Sequence, residues 1–469
     1  MSPALPAQDN PGGGTASGPA PPLAPQAMND AEEVVPRRHL GVRHAMAVCV
    51  GMVIGAGIFR TSPNVAHSVM SVLPLFGAWA LGGVLSVLGA LCFAEMASAF
   101  PHAGGDYAFL ARAYGKKLAL LFAWSRFAVI HTGSMALLAF VFGDYLSQVV
   151  NFGPWTSPIF GVVAVVTLIA VNLRGIHIGV GTQVGLMSLV IFGLSCVVLG
   201  GLWQVAHGIA PLTSATVSAS PADRTSFGTA MVFVLLAYGG WSDAATLSAE
   251  MRDARRGIVF ALIGGMSIVG VLYLGANWGY VRVLGLDGLA DSNAPAADVM
   301  RAAFGRPGEI LIVATVATAA ISVMNALLIV GARTTFAAAR DLTALRGLGK
   351  WDARRGTPAY AMVAMGCVAI ALIGFGSINH RGFANMVDYL APVYWFFLSL
   401  SALAVIMLRY RYPDTPRPFR VPGYPVTPIV FFLSCLYTLY ASLAYVQIGA
   451  LVGVGVLALG GLLLLFQRR

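Results

Sequence analysis

An all-α polytopic membrane protein with twelve transmembrane helices is the fold class this sequence predicts, on three observations. Of its 469 residues, 58% are hydrophobic and only 10% charged, against about 25% charged in soluble domains. Apolar stretches of roughly 20 residues, the length that crosses a ~30 Å hydrocarbon core, recur twelve times along the chain. The first and the sixth are each interrupted at mid-length by glycines. They read Val53-Ile54-Gly55-Ala56-Gly57-Ile58-Phe59 and Leu236-Ala237-Tyr238-Gly239-Gly240-Trp241-Ser242. Lipid offers no hydrogen-bond partners, so a span must satisfy its backbone internally. Glycines at mid-membrane let the helix unwind and free those backbone groups for a solute. A matched pair, one in each half of the chain, points to the substrate site of a secondary transporter.

Residues 1–36 are rich in Pro, Gly and Ala and lack the apolar core of a signal peptide. They read as a disordered cytoplasmic tail ahead of a membrane transport domain over 37–469. Spans at 43–66, 75–99, 118–143, 158–173 and 180–203 form a first repeat over about 40–205. Spans at 226–248, 258–281, 309–331, 358–376 and 384–408 form a second over about 225–410. With an odd number of spans per repeat, the second starts on the opposite side, so the two are inverted. Two additional helices, at 426–446 and 448–466, close the chain. Arg333 to Asp341 extends span 8 as helix. The link 282–308, with Asp287, Asp291, Asp298 and Pro295, has room for a short helix over the mouth. Pro413, Pro416, Pro418, Pro422 and Pro425 make the link 409–425 a stiff strap.

The net charge of +10 raises the possibility of a nucleic-acid partner, and the placement of the charge argues against one. Of 29 Lys and Arg residues, 22 fall in the segments that are cytoplasmic if the N-terminus is inside. Five fall outside, and Arg60 and Arg126 lie within spans. That bias places both termini in the cytoplasm. The five cysteines all lie in apolar spans, which excludes an extracellular disulfide framework. There is no Asn-x-Ser/Thr acceptor, which is compatible with a bacterial inner membrane.

Several stretches resemble the amino acid–polyamine–organocation (APC) superfamily, in its L-type amino acid transporter-like branch. Gly55-Ala56-Gly57-Ile58-Phe59 is similar to the family's first-span motif, and Glu95 through Pro101 to Gly104-Gly105-Asp106-Tyr107 to the end of its second. Tyr238-Gly239-Gly240-Trp241, then Glu250 and the basic turn Arg252 to Arg256, resembles span 6. Asn325 through Arg340-Asp341 resembles span 8, and Arg417-Pro418-Phe419-Arg420-Val421-Pro422 the strap before span 11. The resemblance covers about 40–466 and implies a LeuT-type 5+5 inverted repeat that moves L-amino acids by alternating access.

The residues lead to a similar chemistry on their own. An amino-acid carboxylate needs donors, and the N–H groups of Ala56, Gly57 and Ile58 open a half-helix carrying about half a positive charge. The ammonium needs acceptors, which the resemblance assigns to carbonyls at Val53, Ile54, Leu236 and Ala237. Backbone dipoles then neutralise the zwitterion without burying a charged side chain. Tyr238, Gly239 and Trp241 complete the second break, with Trp241 either supporting the site or filling the core. The resemblance makes Trp395 a pocket residue of span 10, and Leu236 a gate where the family often has Phe. Val190 stands where many sodium-independent members carry a span-5 lysine. The balancing charge is therefore left open among Arg126, His131 and a small cation at Ser322.

Arg126 lies deep enough to need a partner or to snorkel, and Arg60 either gates the outer vestibule or pairs. His131 is a hydrogen-bonded core residue or a proton relay. No cofactor or metal site is expected. The partners expected are an amino-acid substrate, the lipid bilayer, and a proton or an exchanged amino acid. An enzyme acting on a lipid-linked substrate should show clustered carboxylates at one membrane face, which this sequence lacks. A polyamine transporter of the same fold is the alternative. It should carry acidic side chains at the breaks, and only Asp243 adjoins one.

Overall fold

A computed structural model describes residues 42–55, 57–102, 104–174, 180–212, 227–244, 254–341, 343–350, 352, 357–378, 381–444 and 448–465. The tail, Ala56 and the stretch 245–253 with Glu250 lie outside the described residues. What is described is helical, apart from an isolated bridge between Asp352 and Thr357. In chain order the helices begin with α1 (Val42–Val53), α2 (Ile58–Val69), α3 (Val72–Ala99) and α4 (Asp106–Tyr114). A π segment (Arg126–His131) joins α5 (Lys116–Ser125) to α6 (Thr132–Leu146). Then come α7 (Thr156–Leu173), α8 (Val180–Ala206), α9 (Phe227–Ala237) and α10 (Trp241–Ala244). The long α11 (Ala254–Asp291) and α12 (Pro295–Asp341) precede α13 (Ala359–Ser377), α14 (Gly382–Arg411), α15 (Val426–Ala444) and α16 (Ile448–Leu465).

Nine helices among the described residues are long and apolar enough to cross a membrane, and α16 supplies a shorter apolar one. Large apolar side chains such as Leu73, Val84, Val271, Leu433 and Leu451 stand exposed on their outer faces. An apolar surface on that scale suits lipid and not water. The links carry more helix than their composition promises. α11 turns at Gly285 and continues to Asp291, while α12 opens with a short arm that turns at Gly305. The link 282–308 is thus two short helical arms.

α11 organises the centre. It packs along α1, α2, α3 and α8, and small residues allow the approach. A methyl group on Gly265 would lie 3.1 Å from Cys49 Sγ of α1, and one on Gly279 2.7 Å from the Val197 carbonyl oxygen of α8. This close seating sets Tyr273, midway along α11, between the two helix interruptions.

The proline-rich strap is tied by Glu95 near the end of α3. Arg409 donates to both carboxylate oxygens of Glu95, at 2.7 and 2.6 Å, in a bidentate fork. Arg417 lies at 3.6 Å, and the Val421 N–H donates to Glu95 Oε2 at 2.7 Å. The Arg409 guanidinium also covers the Tyr424 ring at 3.7 Å. Glu95 is a buried, salt-bridged end group.

Candidate functional site

The first interruption separates α1 from α2. The Ile54 N–H still reaches the Val50 carbonyl at 2.7 Å, and the Gly55 N–H bonds the Val53 carbonyl two residues back. The chain re-enters helix at Ile58, where the Gly57 carbonyl accepts from Arg60 N and Thr61 N at 3.0 and 2.9 Å. The first N–H groups of a helix have no partner within it. The Ile58 and Phe59 N–H groups that open α2 have no backbone acceptor among the described residues and face the interruption as donors. A methyl group on Gly57 would meet nothing within 4 Å, so open space adjoins these donors.

The second interruption follows α9. Gly239 N–H bonds the Leu236 carbonyl at 3.0 Å, and Gly240 takes φ +97° before α10 starts at Trp241. That left-handed backbone is what demands glycine there. Tyr273 joins the two interruptions. Its hydroxyl lies 3.1 Å from the Val53 carbonyl and 3.1 Å from the Ala237 carbonyl. Two of the four carbonyls that the sequence reading assigns to an ammonium therefore already share a hydroxyl donor. The Leu236 carbonyl is engaged by Gly239, and each carbonyl oxygen keeps a second lone pair.

Side chains around the second interruption divide into wall and filler. Tyr238 turns away, donates to the Trp79 carbonyl at 3.1 Å and packs, tilted, against the rings of Trp79 and Tyr273, which also touch each other. It contributes its backbone to the break and its ring to the core. Trp241 wedges edge-on against Phe93, with centroids 5.1 Å apart. A methyl on Gly89 would stand 2.5 Å from the Trp241 ring, so that glycine admits the indole. Trp395 lines a small cavity with Trp241, Leu235 and Phe431. Leu236 is half-buried beside the break.

A charged cluster lies next to this break. Arg126 Nη2 donates to Asp243 Oδ1 at 2.7 Å, and the guanidinium reaches His131 Nε2 at 2.8 and 3.2 Å. Arginine has no acceptor, so His131 Nε2 must offer its lone pair and the ring is neutral with its proton on Nδ1. In an α-helix, residues five apart point about 140° away from each other. The wider turn of the π segment brings Arg126 and His131 to one face. A cavity of about 30 Å³ opens here, lined by Asp106, Arg126, Ser242, Asp243, Tyr394 and Ser401 among others.

A second network lies toward the other end of the same span. Arg60 Nε donates to Asp144 Oδ2 at 3.0 Å and its Nη2 to Asn293 Oδ1 at 2.7 Å, with the guanidinium over Phe383. Arg126 and Asp144 are 18 residues apart on the continuous run α5–π–α6, roughly 27 Å at 1.5 Å per residue. The two networks therefore bracket the interruptions from opposite faces. Ser322 is buried on α12, next to Val323, whose Cγ2 would lie 4.0 Å from a methyl on Gly55.

Of the residues singled out from sequence, Val53, Ile54, Gly55, Gly57, Ile58, Leu236, Ala237, Tyr238, Gly239 and Trp241 all sit at the two interruptions. Arg126 and His131 meet each other, and Arg60 stands apart from them. Sequence reasoning missed Tyr273, Asp106 and Tyr394. A tyrosine in mid-span was the available signal for the first, because its hydroxyl must find a partner there.

A family model described as amino acid permease matches residues 40–457. The mouse b(0,+)-type amino acid transporter 1 is 26% identical over 415 residues, which cover 87% of this chain and 83% of that protein. The serine/threonine exchanger SteT of Bacillus subtilis (strain 168) is 26% identical over 414 residues, 87% of this chain and 91% of its own. The human large neutral amino acids transporter small subunit 2 is 25% identical over 442 residues, covering 92% and 80% respectively.

Proposed function

This chain belongs to the amino acid permease family, and we propose that it is a secondary active transporter of neutral L-amino acids. In this reading the membrane domain spans 37–469 and crosses the membrane twelve times. α1/α2 and α9/α10 are the discontinuous first and sixth spans of a LeuT-type pair of inverted repeats. Both termini are cytoplasmic, and the charge bias supports that orientation. A bacterial inner membrane is the proposed location, and no enzymatic step is proposed.

The observation that carries this reading is the pair of helix interruptions bridged by one tyrosine hydroxyl. The substrate carboxylate lies against the N–H groups opening α2, where Gly57 leaves open space. Its ammonium lies against carbonyls of Val53, Ile54, Leu236 and Ala237. Leu236 covers the substrate side chain, with Trp241 and Trp395 setting the size of the pocket. Neutral substrates are favoured because Asp243, the acidic side chain beside the break, is already paired with Arg126. The same pairing weighs against a polyamine. The names of the serine/threonine exchanger and the large neutral amino acids transporter are consistent with this class.

Uptake is proposed to be independent of sodium. A hard cation needs about six oxygen ligands, and the side chains named near the first interruption supply two hydroxyls, those of Ser322 and Tyr273. The test is purified protein in liposomes, given radiolabelled L-serine, L-threonine, L-leucine and L-arginine, with sodium, pH and internal amino acid varied. Saturable uptake of the neutral amino acids in choline buffer is expected. Absence of uptake for every amino acid sinks the transport reading, and a saturating sodium requirement sinks the coupling.

A further inference from the structure

Asp106 is the first residue of α4 and is only 8% exposed. Its Oδ1 has no hydrogen-bond partner among the described residues, and its side chain lines the cavity that holds the Arg126–Asp243 pair. Leaving a buried carboxylate oxygen bare is costly. An N–H, an O–H or a proton must satisfy it at some stage of the protein's work.

Other charged groups nearby are paired, turned outward or set on another face of α4. Arg409 grips Glu95 and Arg411 donates to the Arg112 carbonyl, while Arg112, about 120° round α4 from Asp106, lies over Phe100 with its Nη1 unpartnered among the described residues. Lys116 and Lys117 are exposed. Arg126 is the cation of the cavity, and it faces two carboxylates. With Asp106 and Asp243 ionised and His131 neutral, the cluster carries a net charge of −1. One proton on Asp106 makes it zero.

We propose that Asp106 is a proton-binding site of the transport cycle, taking a proton from water in the cavity and returning it as the site changes state. This rests on the transport reading above. The acid in transit is a single proton added to one carboxylate oxygen, with no bond other than O–H made or broken. Its state reaches the substrate through Asp243, which follows the second interruption by three residues and shares Arg126 with Asp106. Burial, and then the neighbouring Asp243, push the Asp106 carboxyl up to about 7, with Arg126 pulling it partly back. It is therefore protonated below that pH and ionised above it.

The experiment is the pH dependence of L-serine uptake in proteoliposomes, with a trapped pH-sensitive dye reporting proton entry. The wild type should lose about tenfold in uptake from one unit below pH 7 to one unit above, as the protonated fraction falls. Asp106→Asn, held in the neutral form, should vary less than about twofold over that interval and should carry no protons. Asp106→Glu should restore the inflection. As controls on the two nearest imidazoles, His102→Gln and His131→Gln should keep an inflection.

A wild-type profile that is flat across this interval overturns the proposal without reference to any variant. So does an inflection that survives Asp106→Asn, or one lost in either histidine variant. A pH-independent preference for L-arginine over L-serine would assign the bare carboxylate to a substrate cation and overturn it too. If no amino acid is taken up at any pH, it is the transport reading that fails. Uptake with an unmoved profile in Asp106→Asn fails the proton site alone.

Discussion

The Arg126–Asp243 pair can be dissected by a double-mutant cycle. Removing one partner of a buried ion pair costs about 3–5 kcal/mol, because the survivor is left uncompensated. The arginine side chain here is 10% exposed and the aspartate 36%. Asp243→Leu takes the direct ion pair from the more buried charge, leaving it only the field of Asp106, and should cost about 3 kcal/mol, the low end of that range, on the order of a hundredfold in the folding equilibrium. Arg126→Met strands an aspartate that the cavity can hydrate, but also leaves His131 Nε2 without its donor. About 2 kcal/mol is expected there. The double variant loses both charges together and should cost about 2 kcal/mol rather than 5, a coupling of about 3 kcal/mol. Thermal unfolding of the purified proteins in one detergent, at one heating rate, gives the ranking even where unfolding is irreversible. If the double variant's loss equals the sum of the two singles, the charges do not act on each other and the reasoning fails.

Three further outcomes are expected. Gly57→Val should fold, since its backbone angles suit any residue and a methyl there meets open space, yet it should abolish substrate binding; retained uptake would make this glycine a packing residue. Leu236→Ala should lower the maximal rate more than the affinity, and Leu236→Phe should be tolerated; severe loss with Phe and none with Ala would remove Leu236 as the gate. Arg60→Ala releases Asp144 and Asn293 together, so a cysteine placed at Asn64 should react several-fold faster with a membrane-impermeant maleimide. Unchanged labelling would mean that the Arg60 network does not close that face.

The features legible in the sequence are local ones. Spans show as runs of apolar residues, and the interruptions show because Gly55, Gly57, Gly239 and Gly240 stand inside such runs. The depth of Arg126 follows from its distance along a helix from Lys117. Its partner does not, because Asp243 lies 117 positions away and only packing brings them together. The π segment leaves no compositional mark, since Arg126–His131 is as apolar between its ends as the helices on either side. Asp106 reads only as one residue of the motif at the end of the second span, and the folded arrangement is what shows that α4 buries it. Tyr273 lay in an unremarkable apolar span, so the hydroxyl that joins the two halves was visible as a letter but not as a bridge.

The Tyr273 hydroxyl has one proton and two carbonyl suitors, on the Val53 and Ala237 oxygens. It cannot give a full-strength bond to both at once. Each carbonyl holds the proton only while the other relinquishes it, so the two interruptions share one donor by turns. On the proposed substrate site, an ammonium that engages one carbonyl competes for its electron density and biases the shared proton toward the other. On that reading, occupancy at one half of the chain would be felt at the other half through the rotation of a single O–H bond.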